Sequence, residues 1–130
     1  LPVAPHAVLR VVENPDYPAG LSTSLRRGIA ALSPTAAGAL ILLGDQPGVD
    51  PPLLQRVLDA WERLATAVAC RYPDGAPGPP CILPRAAWGL IDGLTGDQGA
   101  RAILGRLSPH LLEVPPASLR DIDTPADIPG

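Results

Sequence analysis

Residues 39–47 read ALILLGDQP, and this stretch decides the fold class. Five apolar residues, 39–43, run without a polar break and then end at Gly44 and Asp45. An uninterrupted apolar run that stops at turn residues is typical of a strand buried on both faces of a parallel sheet. The loop after such a strand lies at the edge where open α/β sheets bind ligands. The stretch therefore predicts an α/β domain with Asp45 at its ligand edge.

Asp45 has two interpretations at this point. A carboxylate at the ligand edge of a sheet can hold a divalent cation against a phosphorylated ligand. Asp is also an ordinary turn residue beside Gly and Pro, where its side chain caps local backbone groups. The stretch taken alone favours neither interpretation.

The composition limits the protein class. The chain has 130 residues, of which 46% are hydrophobic, and this length corresponds to about one domain. Its longest apolar run is well short of the ~20 residues of a membrane span, and the amino end lacks a signal-peptide pattern, so we expect a cytoplasmic protein without membrane contact. The net charge is −3 and the ten basic residues are scattered arginines, which argues against nucleic-acid binding.

Three residue types are absent or sparse. There is no methionine, so we expect the chain to be part of a longer protein. There is no lysine, which excludes a Walker A loop and a Schiff-base mechanism within these residues. Cys70 and Cys81 have no metal-ligand spacing, and we interpret both as thiols of the core.

Strand-like and helix-like segments alternate along the chain, which predicts a layered α/β domain with a largely parallel sheet. Asp50 as N-cap and Pro51 as first residue predict the helix with the strongest signals. Residues 72–80, rich in Gly and Pro, predict a surface loop. The expected strands are 7–13, 39–43, 66–70, 80–83 and 111–114; the expected helices are 22–32, 51–64, 85–94, one after residue 99, and a capped turn at 124–127.

Two short stretches precede predicted helices and could carry chemistry. Residues 20–24, GLSTS, and 96–101, GDQGAR, place glycine and polar side chains at helix starts. Backbone N–H groups at a helix start can contact a phosphate or a base. The same residues are also common helix caps, so both interpretations stay open. Residues 78–80, GPP, read as a turn.

Taken together, these stretches resemble one family in order and spacing, the MobA-like nucleotidyltransferases, and in particular their molybdenum cofactor cytidylyltransferase branch. The resemblance extends over residues 12–129. It is carried by NPDYPAGLSTSLRRGI at 14–29, LLGDQPGVDPPLL at 42–54, the Gly-x-Pro at 78–80, GDQGAR at 96–101 and DIDTPAD at 121–127.

The resemblance implies a three-layer α/β/α sandwich of the nucleotide-diphospho-sugar transferase type. It also implies Mg²⁺-dependent transfer of CMP, or GMP, from CTP or GTP to the phosphate of molybdopterin, with release of pyrophosphate. A molybdoenzyme or its chaperone would be a protein partner. Carried over by position, the resemblance assigns Asp45 and Asp123 as catalytic metal ligands, Gly20, Leu21, Ser22 and Ser24 to the nucleotide, and Gly78, Pro80, Asp97 and Arg101 to the acceptor.

The chain departs from the family pattern in two places. The family begins with a strand and a glycine-rich loop, approximately LAAGxSxRMG, and a following lysine that grips the triphosphate. This chain starts after that loop, so we expect residues 1–130 to form the carboxyl-terminal portion of a single domain that is inactive alone. Pro79 stands where family members often have His.

Two other functions stay open. One is a relative within the same fold that has moved to another reaction, such as nicotine blue oxidoreductase. The other is a non-catalytic interaction module that binds no triphosphate. The transferase reading agrees with the chemistry of the chain, since phosphate attack on a phosphorus atom needs a divalent cation and positioning groups but no protein nucleophile.

Overall fold

The computed structural model describes residues 21–42, 46, 48–96 and 98–119. The predicted strand at 7–13, the capped turn at 124–127 and four candidate site residues lie outside the described residues; these four are Gly20, Asp45, Asp97 and Asp123. The helices are α1 (Leu21–Ala30), α2 (Pro51–Leu64) and α3 (Ala100–Leu104), with two 3-10 helices at Arg85–Gly93 and Pro116–Leu119. The strands are β1 (Gly38–Ile41), β2 (Val68–Arg71), β3 (Pro77–Pro84) and β4 (His110–Leu112).

The four described strands form one sheet in the order β1-β3-β2-β4. Strand β3 is antiparallel to both β1 and β2, whereas β2 and β4 are parallel. The α/β class is therefore confirmed, but the described sheet is mixed, and the prediction of a mostly parallel sheet is not met there. The reason is local: a tight turn, closed by Tyr72 N–H donating to Ala76 O at 2.9 Å, returns the chain directly beside β2.

Helices cover both faces of the sheet, as the three-layer prediction requires. Successive strand residues point to opposite faces, so β2 and β3 each contribute to two cores. One core joins α1, the first 3-10 helix and α3 to one face of the sheet, through Leu25, Ile91, Leu94, Ile103, Leu104, Ala69, Cys81 and Leu83. The other joins α2 and Leu119 to the opposite face, through Leu53, Val57, Ala60, Val68, Cys70, Ile82 and Leu112.

Helix α2 forms where its capping signals place it. The Asp50 carboxylate accepts a hydrogen bond from Leu53 N at 3.0 Å, and Pro51 is the first helical residue. Ala65 ends the helix in the left-handed conformation, with its N–H donating to Trp61 O at 2.8 Å. The helix therefore begins where the N-cap and the proline predict and covers the expected range of 51–64.

Strand β1 is less buried than its sequence predicts. Only Ala39 of β1 is buried, and Leu42, just beyond the strand, is 42% exposed. Among the described strands β1 pairs on one edge only, with β3, and this leaves its other edge without a sheet neighbour in that part of the chain. A strand buried on both faces over 39–43 is therefore not what the described residues form.

Residues 77–80 are a second correction, since the predicted surface loop ends early and these residues belong to β3. Gly78, Pro79 and Pro80 are buried, and the Pro79–Pro80 peptide bond is cis. The β2–β3 register jumps from Cys70↔Gly78 to Val68↔Ile82 at this point. Two prolines are tolerated inside a strand because the irregular pairing does not call on their missing N–H groups.

Candidate functional site

The start of helix α1 is fixed to the turn at Gly96. The buried Ser22 hydroxyl donates to Gly96 O at 2.8 Å, and the Ser22 backbone N–H donates to the same oxygen at 3.1 Å. Arg26 Nη1 donates to Leu94 O at 2.9 Å. The segment predicted to meet the nucleotide, which includes Leu21 and the half-buried Ser24, therefore contacts the 96–101 stretch predicted to meet the acceptor.

Gln46 lies at the centre of a buried polar network. Its side chain is 5% exposed, and its Nε2 donates to Tyr72 OH at 2.8 Å and to Leu119 O at 2.9 Å. The Tyr72 hydroxyl in turn donates to Pro79 O at 2.5 Å. Three segments that are far apart in sequence meet at this point: the loop after β1, the β2–β3 turn and the second 3-10 helix.

The orientation of the Gln46 amide follows from its partners. The Tyr72 proton is used on Pro79 O, and Leu119 O can only accept, so both need the NH₂ side of the amide. Its Oε1 is buried and has no hydrogen-bond partner among the described residues. A buried acceptor without a donor costs about 1–3 kcal/mol, which marks this atom as the point where the network is incomplete.

The Tyr72 ring brings the two predicted acceptor segments together. A Cβ atom at Gly78 would lie 2.4 Å from Tyr72 Cε1, so only glycine allows this approach. The Arg101 guanidinium carbon lies 4.7 Å from the ring centroid, in cation–π geometry. Gly78 and Arg101 were predicted from two separate stretches and are thus neighbours in space, against the same ring. Pro80 follows Gly78 by two residues in β3.

Arg101 also forms an ion pair with Asp74. Its Nη2 lies 3.0 Å from Asp74 Oδ2 and 3.2 Å from Asp74 Oδ1. The hydrogen bond from Ala76 N–H, followed by that from Arg101, lowers the pKa of the Asp74 carboxyl. The Arg101 side chain is 45% exposed, so the guanidinium is held by a ring and a carboxylate while one part of it faces solvent.

The loop after β1 and the second 3-10 helix touch at two points. One is the hydrogen bond from Gln46 to Leu119. The other is Gly48, where a Cβ atom would lie 2.7 Å from Ala117 O and 2.8 Å from Ser118 Cα. Gln46 directly follows Asp45, and Leu119 precedes Asp123 by four residues, so the sequence neighbours of both predicted metal ligands meet here.

The two cysteines are buried free thiols, as predicted. Burial raises the pKa of the Cys70 thiol to about 11, and the positive charge of Arg56 opposes this only in part. Burial also raises the pKa of Cys81. Both groups are protonated at neutral pH, so neither is a ready nucleophile.

Metal ligands do not cluster within the described ranges, where no group of three or more His, Cys, Asp or Glu side chains could hold a metal ion. The helices described there also include none with the length and apolarity needed to cross a membrane. Of the predicted site residues, Gly78 and Arg101 both lie against the Tyr72 ring, and Ser22 is hydrogen-bonded to Gly96. Gln46 and Tyr72 were not predicted as site residues, although a glutamine after a predicted buried strand and one of only two tyrosines were visible signals.

Comparison with known proteins gives matches over most of the chain. Residues 2–111 match the model of the MobA-like NTP transferase domain. The structure is similar to the crystal structure of Rv0371c from Mycobacterium tuberculosis H37Rv, with 37% identity, a TM-score of 0.69, and coverage of 82% of this chain and 56% of that chain. A complex of Rv0371c with manganese gives 37% identity, a TM-score of 0.68, and coverage of 80% and 56%.

A third solved structure, the Rv0371c homologue from Mycobacterium sp. strain JC1, is 31% identical with a TM-score of 0.66. The match covers 80% of this chain and 52% of that chain. The chain thus spans a little over half of each of these solved relatives. No curated protein matches the sequence.

Proposed function

The chain belongs to the MobA-like NTP transferase family, and on this basis we propose that the full-length protein is a metal-dependent nucleotidyltransferase. It moves CMP, with GMP as the alternative, from the NTP to the phosphate of molybdopterin and releases pyrophosphate. The observation that carries the proposal is the contact between Gln46 and Leu119, because it joins the segments that bear Asp45 and Asp123. Four residues span at most about 14 Å, so Asp123 is within reach of the Asp45 loop.

The oxygen atoms of Asp45 and Asp123 are suited to a hard divalent cation such as Mg²⁺ or Mn²⁺. Carboxylate and amide oxygens are the ligands that Mg²⁺ and Mn²⁺ prefer, and Mg²⁺ keeps several of its waters. Asp45 and Asp123 would hold the ion, and the unpaired buried oxygen of Gln46 directly follows Asp45 in the chain. When bound, the ion neutralises the charge of the phosphate oxygens during transfer. The manganese complex of Rv0371c agrees with this class of ion.

The other residues bind and orient the two substrates. The nucleotide is assigned to Gly20, Leu21, Ser22 and Ser24; the last three lie at the start of α1, where backbone N–H groups favour a nucleotide. Ser22 already donates to Gly96 O, so its part is to fix this start against the acceptor segment. On the acceptor side we assign Gly78, Pro80 and Asp97, and the half-exposed Arg101 offers a guanidinium to an anionic group.

The test is pyrophosphate release by the full-length protein with CTP, Mg²⁺ and molybdopterin. Asp45→Ala should lower the rate by roughly 100-fold or more, since a metal ligand contributes several kcal/mol. Asp59→Ala is the matched control, because Asp59 is an exposed carboxylate of α2 that accepts a hydrogen bond from Gln55 at 2.9 Å. An unchanged rate for Asp45→Ala, or no pyrophosphate from the unaltered protein, would count against the proposal.

The same preparation separates the alternatives. NADPH consumption would identify a relative with oxidoreductase chemistry, such as nicotine blue oxidoreductase. A melting temperature that does not respond to NTP and Mg²⁺ would identify a non-catalytic interaction module. The cytoplasmic location and the molybdoenzyme or chaperone partner stay predictions.

A further inference from the structure

We propose that Gln46 and Tyr72 are positioning residues that set the distance between the metal side and the acceptor side of the site. The inference rests on the proposed function, but it concerns two residues to which that function assigns no role. Neither residue needs to touch a substrate. Each acts through the segments that it holds.

The first step is the direction of the hydrogen bonds. Gln46 Nε2 donates to Tyr72 OH at 2.8 Å, and Tyr72 OH donates to Pro79 O at 2.5 Å. The chain of donors thus runs from Gln46, the residue after Asp45, to Pro79 of β3. Because each hydroxyl or amide hydrogen has one defined acceptor, rotation of either side chain would break at least one buried bond.

The second step is the second hydrogen bond that the Gln46 NH₂ group donates. Its second hydrogen bond, to Leu119 O at 2.9 Å, holds the segment that leads to Asp123. A single buried amide is therefore bonded directly to Leu119 and, through the Tyr72 hydroxyl, to Pro79 of β3. Loss of the amide removes both connections, whereas loss of the Tyr72 hydroxyl removes only the connection to β3.

The third step is the tight packing around the Tyr72 ring. The ring lies so close to Gly78 that a Cβ there would overlap Cε1, and Arg101 lies over the ring at 4.7 Å. A displacement of Tyr72 is therefore transmitted to Gly78, Pro79 and Arg101. The predicted acceptor residues Gly78 and Arg101 therefore pack against the same ring, that of Tyr72. The Tyr72 hydroxyl in turn accepts a hydrogen bond from Gln46, which directly follows Asp45.

These contacts predict different results for two conservative variants of the full-length protein. Tyr72→Phe should raise the KM for molybdopterin by roughly three- to tenfold, the equivalent of one hydrogen bond, with the KM for CTP and the Kd for Mn²⁺ unchanged. Gln46→Met should raise the acceptor KM as well and also weaken Mn²⁺ binding by roughly tenfold, as loss of an outer contact to a metal site does.

Trp88→Phe is the matched control for a purely structural loss. Trp88 Nε1 donates to Leu83 O at 3.0 Å and Arg85 lies 4.8 Å from its ring, so Trp88 repeats the bond pattern of Tyr72 outside the site. The measurements are pyrophosphate release at varied molybdopterin and CTP, Mn²⁺ titration by electron paramagnetic resonance, and the melting temperature of each variant. Trp88→Phe should lower the melting temperature and leave both KM values and the Mn²⁺ affinity unchanged.

Two negative outcomes are distinguishable. If the unaltered protein binds Mn²⁺ and releases pyrophosphate, but Tyr72→Phe and Gln46→Met change only the melting temperature as Trp88→Phe does, the positioning role is wrong and the proposed function stands. If the unaltered protein neither binds Mn²⁺ nor releases pyrophosphate, the proposed function fails and the positioning role fails with it.

Discussion

At the scale of single residues, Gly78 shows how one missing side chain shapes the site. Gly78→Ala should destabilise the protein by about 1–3 kcal/mol, because its Cβ would lie 2.4 Å from the Tyr72 ring inside packed structure. The free energy of unfolding, from urea denaturation, measures this. Gly28→Ala is the control: Gly28 lies in α1 with nothing within 4 Å of an added Cβ, so alanine there should be neutral or stabilising.

The outcome that would contradict this account is equal stability of the two alanine variants. The ring would then move aside without cost. Tyr72→Ala combined with Gly78→Ala gives a further check, because removal of the ring should make the second substitution nearly free of additional destabilisation.

Gln46 and Tyr72 also mark the limit of what single residues reveal in the sequence. They are 26 residues apart, and no local pattern relates a glutamine in a turn to a tyrosine after a strand. Their contact depends on the folded path of β2 and β3. Ser22 is similar: a serine at a helix start predicts a cap, whereas its hydroxyl bonds to Gly96 O, 74 residues away.

At the scale of secondary-structure elements, the buried thiols of β2 and β3 make stability depend on alkaline pH. Burial raises the pKa of Cys70 from 9.0 to about 11 in the folded chain. The folded state then holds this proton more tightly than the unfolded state, so the stabilisation is complete below pH 9 and is lost as pH rises towards 11. Cys70 alone should lower the free energy of unfolding by about 1.4 kcal/mol per pH unit in this window, and Cys81, whose pKa burial also raises, acts in the same direction.

Urea denaturation between pH 8 and roughly pH 11 checks the slope, with Cys70→Ala as the comparison. The variant should show a shallower dependence on pH whatever its absolute stability. An identical slope in both proteins would mean that Cys70 is not the group responsible. Native Cys70 should also resist alkylation that labels the urea-unfolded chain, since burial holds it in the unreactive thiol form.

Helices and strands were predictable from the sequence where residues close in the sequence determine them. Helix α2 was predicted from Asp50 and Pro51, and it forms over Pro51–Leu64. Strand β3 was only partly predicted. The prolines and glycine of residues 77–80 are typical of a loop, and they form a strand here because β3 pairs with a strand on each side. Here β1 and β2 flank β3, and this long-range pairing outweighs the local preference of residues 77–80. The mixed sheet was missed for the same reason.

At the scale of the whole molecule, binding of a metal ion should stabilise the fold. Under the proposed function Mn²⁺ should bind the folded state in preference to the unfolded chain, because the segments that lead to Asp45 and Asp123 are joined by the Gln46–Leu119 hydrogen bond. At 100 times its Kd, the ion should add about 2.7 kcal/mol to the free energy of unfolding of the full-length protein. Thermal denaturation with and without Mn²⁺ measures this.

Asp45→Ala should abolish the rise in melting temperature, and Asp59→Ala should keep it. A rise that survives Asp45→Ala would place the ion elsewhere.

The α/β class, the layers and the family were all predictable from the sequence, because several weak motifs in a fixed order add to a strong signal. The contacts of Tyr72 with Gln46, Pro79 and Arg101 were not predictable, since they form only when segments far apart in the sequence have folded together.

The bonds from α1 to the Gly96 turn also have a consequence for the order of folding. Their partners are 74 and 68 residues apart, whereas β2 and β3 are joined by a short turn. Closing a long loop costs more entropy than closing a short one, and a ten-residue helix is unstable by itself. We therefore expect the hairpin to form early and α1 to dock late. The segments predicted to meet the nucleotide and the acceptor then come together in one of the last folding steps, and undocking of α1 would separate them while the sheet stays intact.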